Sequence, residues 1–399
     1  MGAIENMDAI ETLGRYLPQM TEWRRHIHAN PETAFEEVGT AAYVVERLKA
    51  FGVDAVHTGI AQTGVVATIK GRLGQSNRAI GLRADLDALD MQEASGVAWA
   101  SRNSGKHPAC GHDGHTTMLL GAARHLAETR NFDGTAVLIF QPAEENEGGG
   151  RVMVEEGLFD RFPVEAVFGM HNIPGIEAGH MAVKAGAMMA SYDIFEITIT
   201  GRGSHGAMPH HGIDPITTGA ELVQKLQTIV SRNLDPLEPA VLSVTKFHSG
   251  TAWNIIPNEA VIGGTVRAFS EKVQEQVERR IRELCEGTAL SHGAQISVRY
   301  ERRYPPTINS EAEAALCRQV AESLVGAERV NTSPRPAMGS EDFAWMLRAR
   351  PGCYVWIGNG TGSTGGCMVH NPGYDFNDAI LPTGAAYWVR LTETALAPR

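Results

Sequence analysis

AVLIFQPAEE, residues 136–145, decides the fold. Ala136–Phe140 is a short continuous apolar run, the pattern of a strand buried on both faces, and a proline turn then delivers two adjacent carboxylates, Glu144 and Glu145. Strands of that kind belong to α/β sheets covered by helices on both sides, and open α/β sheets bind ligands at the carboxyl ends of their strands. Neighbouring carboxylates are costly to bury unless a cation offsets their repulsion. The stretch therefore predicts an α/β sheet and a cation at its edge.

Working outward, Val65–Ile69, Ala79–Leu82 and Val164–Gly169 read as further strands, and Thr116–Glu128 and Val152–Glu156 as helical. Residues 6–29 carry apolar positions at helical spacing, and Asn30-Pro31-Glu32 turns the chain into a second helix ending near Lys49. The texture changes around Gly186. Tyr192–Thr200 alternates like a half-exposed strand, Ile213–Val230 is helical, and Val241–Phe247 and Glu259–Phe269 are strands. A charged helix at Glu271–Leu290 and a strand at Gln295–Glu301 complete a βαββαβ pattern. After Tyr304-Pro305-Pro306 the α/β texture returns, with a helix at Ala312–Leu324, a helix from Glu341 and a strand at Tyr354–Ile357. The expected division is 1–186 and 304–399 for an α/β domain, with 187–303 as an α+β domain inserted into it.

With 399 residues, 43% of them hydrophobic and 20% charged, the chain exceeds one comfortable core and suits two or three domains. A formal charge of −11 argues against nucleic acid or an anionic membrane as partner, since both demand a basic face. No apolar run reaches the length of a membrane span, and the first residues lack a basic stretch followed by an apolar one. Five cysteines without close pairing suit a reducing compartment, so the expected location is cytoplasmic.

Four segments carry side chains of metal-ligand type: Cys110-Gly-His112, Glu144-Glu145, His171 and His370. Thiolate, imidazole and carboxylate are the donors of zinc and its borderline neighbours. Taken singly, each has a plainer explanation: a buried cysteine, a satisfied core histidine, a solvated carboxylate pair or a loop histidine. Taken together, five donors and a spare glutamate fit two ions sharing a water, with the spare carboxylate handling its proton.

The segments ACGHDGH (109–115), QPAEE (141–145), MHN (170–172) and HNPGYDFND (370–378) resemble, in this order, those of the M20 metallopeptidase family. The likeness is to its amidohydrolase branch of hippurate, N-acyl-amino-acid and auxin-conjugate hydrolases, and runs from WRRHIHANPE (23–32) to the carboxyl-terminal motif. It implies a catalytic three-layer α/β domain interrupted by a ferredoxin-like lid domain that pairs two subunits into a homodimer or a dimer of dimers. It implies Cys110, His112, Glu145, His171 and His370 as ligands of two divalent ions, zinc first, with manganese, cobalt and nickel suited to the same donors. Glu144 would be the general base, and Asp85, in RADLDALD (83–90), would stand behind the metals. The family usually reads HACGHD where this chain has Pro108-Ala109-Cys110, and proline where it has Asp90; neither change replaces an expected ligand.

The same resemblance turns His205, in GRGSHGAMP (201–209), into a donor to the developing oxyanion. It makes Asn254, Arg267 and Glu341 substrate-binding residues, with Arg267 gripping a free α-carboxylate. The implied reaction is metal-assisted hydrolysis of the amide bond of N-acyl amino acids, such as hippurate-like, N-acetyl or indoleacetyl conjugates. Two other readings stay open on the residues alone. Cys110 could be the nucleophile of a thiol hydrolase, or the fold could be a metal-dependent small-molecule binder without catalysis.

Overall fold

The computed structural model describes residues 9–145 and 147–398; residues 6–8 of the first expected helix, and Asn146 beside the glutamate pair, lie outside them. In chain order the principal elements begin with α1 (Leu17–Ala29), α2 (Val38–Phe51), β1 (Ala55–Ile60), β2 (Gly64–Lys70) and β3 (Ala79–Asp85). There follow α3 (His112–Thr129), β4 (Thr135–Gln141), α4 (Gly149–Glu155), β5 (Ala166–Pro174) and β6 (Met181–Ala182). Next come β7 (Tyr192–Thr200), β8 (Ser204–His205), α5 (Pro215–Thr228), β9 (Ala240–Ser249), β10 (Ile255–Ile256), β11 (Glu259–Ala268), α6 (Glu271–His292) and β12 (Gln295–Tyr304). The chain ends with α7 (Glu311–Val325), β13 (Val330–Asn331), α8 (Ala344–Ala349), β14 (Gly352–Gly360) and α9 (Leu381–Ala395).

These elements form two compact units, one made of residues up to Met188, Ile308–Arg335 and Asp342–Arg399, the other of Met189–Thr307 and Pro336–Glu341. The first contains an eight-stranded mixed sheet in the order β1-β2-β4-β3-β5-β14-β6-β13. Its centre, β4-β3-β5-β14, is parallel. Every residue of β3 is buried, as a strand covered on both faces requires. Successive side chains serve opposite faces: Leu138 and Phe140 join the large apolar core that includes residues of α1, α2, α3, α7 and α9, whereas Val137 and Ile139 are buried outside it.

The second unit has a four-stranded antiparallel sheet, β9-β11-β7-β12, and a two-stranded ribbon of β8 and β10. Phe195, Ile197 and Ile199 alternate inward along β7 and pack with Leu222 and Leu226 of α5 and Val277 and Ile281 of α6. Asp214 and Ser270 cap these helices by accepting hydrogen bonds from Ile216 N (2.8 Å) and Val273 N (3.3 Å). Residues 336–341 go with this unit because Ala190 N donates to the Ala337 and Gly339 carbonyls, both at 3.0 Å, and Arg267 Nη1 donates to Ser340 Oγ at 3.0 Å. No periodicity in the sequence marks that excursion.

Two local expectations are corrected. The strand expected at Val164–Gly169 runs instead from Ala166 to Pro174, because parallel pairing with β14 carries it onward, so His171 lies within the strand rather than after it. The helix expected from Glu341 starts only at Ala344, after a turn in which Trp345 N donates to Asp342 O at 2.9 Å. Among the described residues no helix is long and apolar enough to cross a membrane.

Candidate metal centre

The expected ligands come from four kinds of local structure. Only the glutamate pair directly follows a strand, β4. Cys110 and His112 open α3, His171 sits inside β5, and His370 lies ten residues beyond β14, in a loop. Gly111 makes the first of these turns. Its φ is 93°, and a Cβ there would come within 2.1 Å of Asn172 Oδ1 and 2.6 Å of the Tyr374 hydroxyl. Two residues with side chains also take left-handed backbone, Ala143 (φ 53°) just before the pair and His370 itself (φ 60°). Such conformations persist only where the surroundings enforce them. For His370 the surroundings are visible: its N–H donates to Ala109 O at 2.8 Å, and Asn172 Nδ2 donates to the Tyr374 hydroxyl four residues on at 2.6 Å.

All five expected ligands converge in the first unit. The donor atoms of Cys110, His112 and His171 lie within 4.8 Å of one another, as do those of Cys110, Glu145 and His370, and those of His112, Glu144 and Glu145. Cys110 Sγ is 3.3 Å from His171 Nε2, and His370 Nε2 is 3.3 Å from Glu145 Oε1. Cys110, His112 and His171 are buried and the Glu145 side chain is 6% exposed, whereas the His370 side chain is 52% exposed and marks the open side of the cluster.

Hydrogen bonds on the far side of the His171 and His112 imidazoles fix which nitrogen faces the cluster. His171 Nδ1 donates to its neighbour's carbonyl, Asn172 O, at 2.6 Å. His112 Nδ1 lies 2.9 Å from Asp87 O and 3.1 Å from Asp87 Oδ1. Both rings therefore turn Nε2 toward the other donors, the arrangement in which a carboxylate or carbonyl orients a metal-binding histidine. His112 Nε2 is buried with no hydrogen-bond partner, and Glu145 Oε1 makes none of normal geometry. Native interiors seldom leave such atoms unmatched, and a cation is what a basic nitrogen and a carboxylate oxygen share.

The charges agree. Burial opposes a charge on His112, yet Asp85, Asp87 and Glu145 hold its proton up to about 10. Burial, with Glu145, Glu144 and Asp85, drives the Cys110 thiol well up, as expected of a thiol surrounded by carboxylates that no cation neutralises. A divalent ion reverses both effects, taking the place of the His112 proton and holding Cys110 as thiolate. The donor set thus fits divalent cations.

Asp85, expected behind the metals, is buried at the end of β3. Its Oδ1 is 2.7 Å from His115 Nδ1, and its Oδ2 accepts from Arg83 Nη1 at 2.7 Å and stands 3.7 Å from His112 Nε2. Burial would raise its pKa, but His112, Arg83 and His115 hold it well below the carboxylate range. The carboxylate that most directly orients a ligand is the unselected Asp87. Besides contacting His112 Nδ1, it accepts from the Glu145 N–H through Oδ2 at 3.0 Å, so one side chain sets two expected ligands. Asp87→Asn should weaken metal binding by about 10–100-fold, read by competition with a chromogenic chelator.

Glu144 is buried, and its Oε1 accepts from the backbone N–H of Asp342 at 3.4 Å. Asp342 is a second buried carboxylate that holds this loop. Its Oδ1 accepts from Arg83 Nη2 (3.0 Å) and Gln141 Nε2 (2.8 Å), and its Oδ2 from Gly150 N (2.8 Å), which fixes both sides of the glutamate loop. The adjacent Glu341, buried at 2% exposure, belongs to the second unit.

His205, Asn254 and Arg267 also lie in the second unit. His205 pairs with Ile255 across the β8-β10 ribbon, and Gly206 N donates to Asn254 O at 2.8 Å, so His205 and Asn254 share one small structure. Arg267, on β11, lies over the Tyr192 ring, 4.1 Å from its centroid.

Thiol, imidazole and carboxylate donors around orphaned buried atoms, with a further carboxylate alongside, in a mixed α/β unit define a metal-dependent hydrolase. The chain belongs to peptidase family M20/M25/M40, whose model matches residues 81–394. It is 41% identical over 368 residues to a hippurate hydrolase of Campylobacter jejuni, covering 92% of this chain and 94% of that one. It is 44% identical over 292 residues to an N-acyl-L-amino acid amidohydrolase of Geobacillus stearothermophilus, covering 72% and 77%. The YXEP protein of Bacillus subtilis, solved as a dinuclear metal-binding peptidase of the M20 family, superimposes with a TM-score of 0.84 at 32% identity, covering 96% and 99%.

Proposed function

We propose that this protein is a metal-dependent amidohydrolase that cleaves the amide bond of N-acyl amino acids, with Cys110, His112, Glu145, His171 and His370 holding two divalent ions. The observation that carries the reading is the convergence of these five side chains, three of them histidines, around a buried imidazole nitrogen that lacks a partner. Ions bound there supply Lewis acidity, which makes water a nucleophile at neutral pH and polarises an acyl carbonyl. The chain's own groups do the rest. Asp87 fixes His112 and Glu145, and the Asp342 N–H steadies Glu144, whose carboxylate accepts the water's proton and delivers it to the leaving amine nitrogen. Asp85 orients His115 and adds negative charge beside His112.

To the second unit we assign substrate recognition: His205 donating to the oxyanion, Arg267 pairing with the α-carboxylate, and Asn254 and Glu341 lining the substrate. That unit, the inserted domain of the sequence reading, serves as lid and as dimer contact. A thiolate beside imidazoles favours zinc, while manganese, cobalt and nickel suit the same donors. Five free cysteines accord with a reducing, cytoplasmic setting.

The test is a panel of N-benzoyl, N-acetyl and indoleacetyl amino acids with zinc, manganese or cobalt. Release of free amino acid from at least one is expected, and Arg267→Ala should raise KM more than it lowers kcat. If amides lacking the α-carboxylate are cleaved equally well, the Arg267 assignment is wrong.

A further inference from the structure

A second set of donors converges in the first unit, on residues for which the family reading gives no role. His28 closes α1, and Glu93 and His107 belong to the long connection between β3 and α3. One ligand atom from each lies within 4.8 Å of the other two. His28 Nε2 is 3.0 Å from Glu93 Oε1, His107 Nε2 is 3.8 Å from the same oxygen, and the three side chains are 0%, 3% and 0% exposed. A tetrahedral ion with bonds of about 2.0–2.1 Å spaces its ligand atoms by about 3.3 Å, a value these two separations straddle.

Three features favour a cation here. His107 is fully buried, and neither ring nitrogen has a hydrogen bond of normal geometry; the Tyr374 backbone exerts only the weakest of the influences on it. His28 Nδ1 meets Asp113 Oδ2 at 3.0 Å, the carboxylate contact that turns Nε2 outward as a ligand. The surrounding ion cluster is also short of positive charge. Glu93, Asp113, Asp375 and Asp378 are matched by Arg24, which contacts three of them, and Arg25, which contacts Asp378. Four carboxylates against two guanidiniums and the His28 imidazolium, whose pKa burial would lower but Asp113 and Glu93 raise to about 9, leave a deficit of one.

We propose that His28 Nε2, Glu93 Oε1 and His107 Nε2 form a third divalent-cation site, suited to zinc or a neighbouring borderline ion, separate from the centre that includes Cys110 and His370. With two imidazoles, one carboxylate and a water it completes the four-coordinate set such ions take. Its role is structural. The ion ties the end of α1 to the segment before Cys110, and through Asp113 to the first turn of α3, where His112 stands.

The experiment is a metal count on zinc-saturated, dialysed protein, paired with anomalous diffraction at the zinc edge. The expected result is three equivalents per chain, an anomalous peak between His28 and His107, and two equivalents in His107→Leu and in the shape-preserving Glu93→Gln. A wild type that holds two ions, both at the Cys110 centre, overturns the site and leaves the two-ion reading of that centre intact. Three ions with no peak at His107 also overturn it. A single ion, located at His107 and lost in Glu93→Gln, upholds the site and removes the two-ion reading instead. The diffraction arm uses only the wild-type chain, so a variant that fails to fold does not decide the outcome.

Discussion

Glu144→Gln is expected to lower kcat for an N-acyl amino acid by about 10²–10⁴-fold, the usual contribution of a positioned acid-base group, while metal content stays at the wild-type value. The amide keeps the volume of the side chain and an oxygen for the Asp342 N–H, so the buried loop retains its support. What it loses is the ability to take a proton. Binding of the amino acid product should change little, because that energy comes from other groups. Steady-state kinetics together with a metal count separates this outcome from two others. Loss of activity with loss of metal would make Glu144 a ligand. Unchanged turnover would leave the fold as a metal-dependent binder whose apparent activity lies elsewhere.

Exhaustive chelation should abolish turnover, a loss of at least about 10³-fold, and re-addition of zinc, manganese or cobalt should restore it. The same treatment should lower the Tm, because an ion that binds only the folded chain stabilises it by mass action. Without cations, Glu145 crowds Glu144 and Asp85 around a thiol that cannot ionise, and His112 must carry a proton to offset them. This also decides between metal and thiol chemistry. Burial and three neighbouring carboxylates push the Cys110 pKa up, opposite to what a nucleophilic cysteine needs. In the metal-loaded protein Cys110 is a buried, ion-bound thiolate, so alkylation there should be slow because the sulfur is engaged and shielded. Activity that survives chelation yet is lost to alkylation would sink the metal mechanism.

Much of the architecture is legible in the residue pattern because it rests on short-range periodicity. Ala136–Phe140 is buried throughout, and Tyr192–Thr200 alternates as expected of a strand with one covered face. The five expected ligands could be chosen by donor chemistry and a shared family pattern, and they do come together. What stayed hidden depends on contacts far apart in the chain. Asp85 and Asp87 have the same neighbours in sequence, so nothing local indicates that Asp87 meets His112 and the Glu145 amide. Asp342 looks like a helix-start charge until Arg83, 259 residues away, is found beside it. Nothing in the sequence around His28 links it to the centre, and only its contact with Asp113 brings it near the chemistry. The apolar run alone ends before His171, whereas pairing with β14 sets where β5 stops and keeps His171 inside it.

The division of the first unit by an insertion bears on how the protein is made. Cys110, His112, Glu144, Glu145 and His171 leave the ribosome before any residue of the inserted segment, whereas Asp342 and His370 follow it. His370 follows His171 by 199 positions, and at about 5–20 residues per second their synthesis occupies roughly 10–40 s. During that interval the nascent chain displays a thiol, two imidazoles and a carboxylate pair that β14 and the His370 loop do not yet cover. The full donor set is therefore complete only once the carboxyl-terminal part of the first unit has been made.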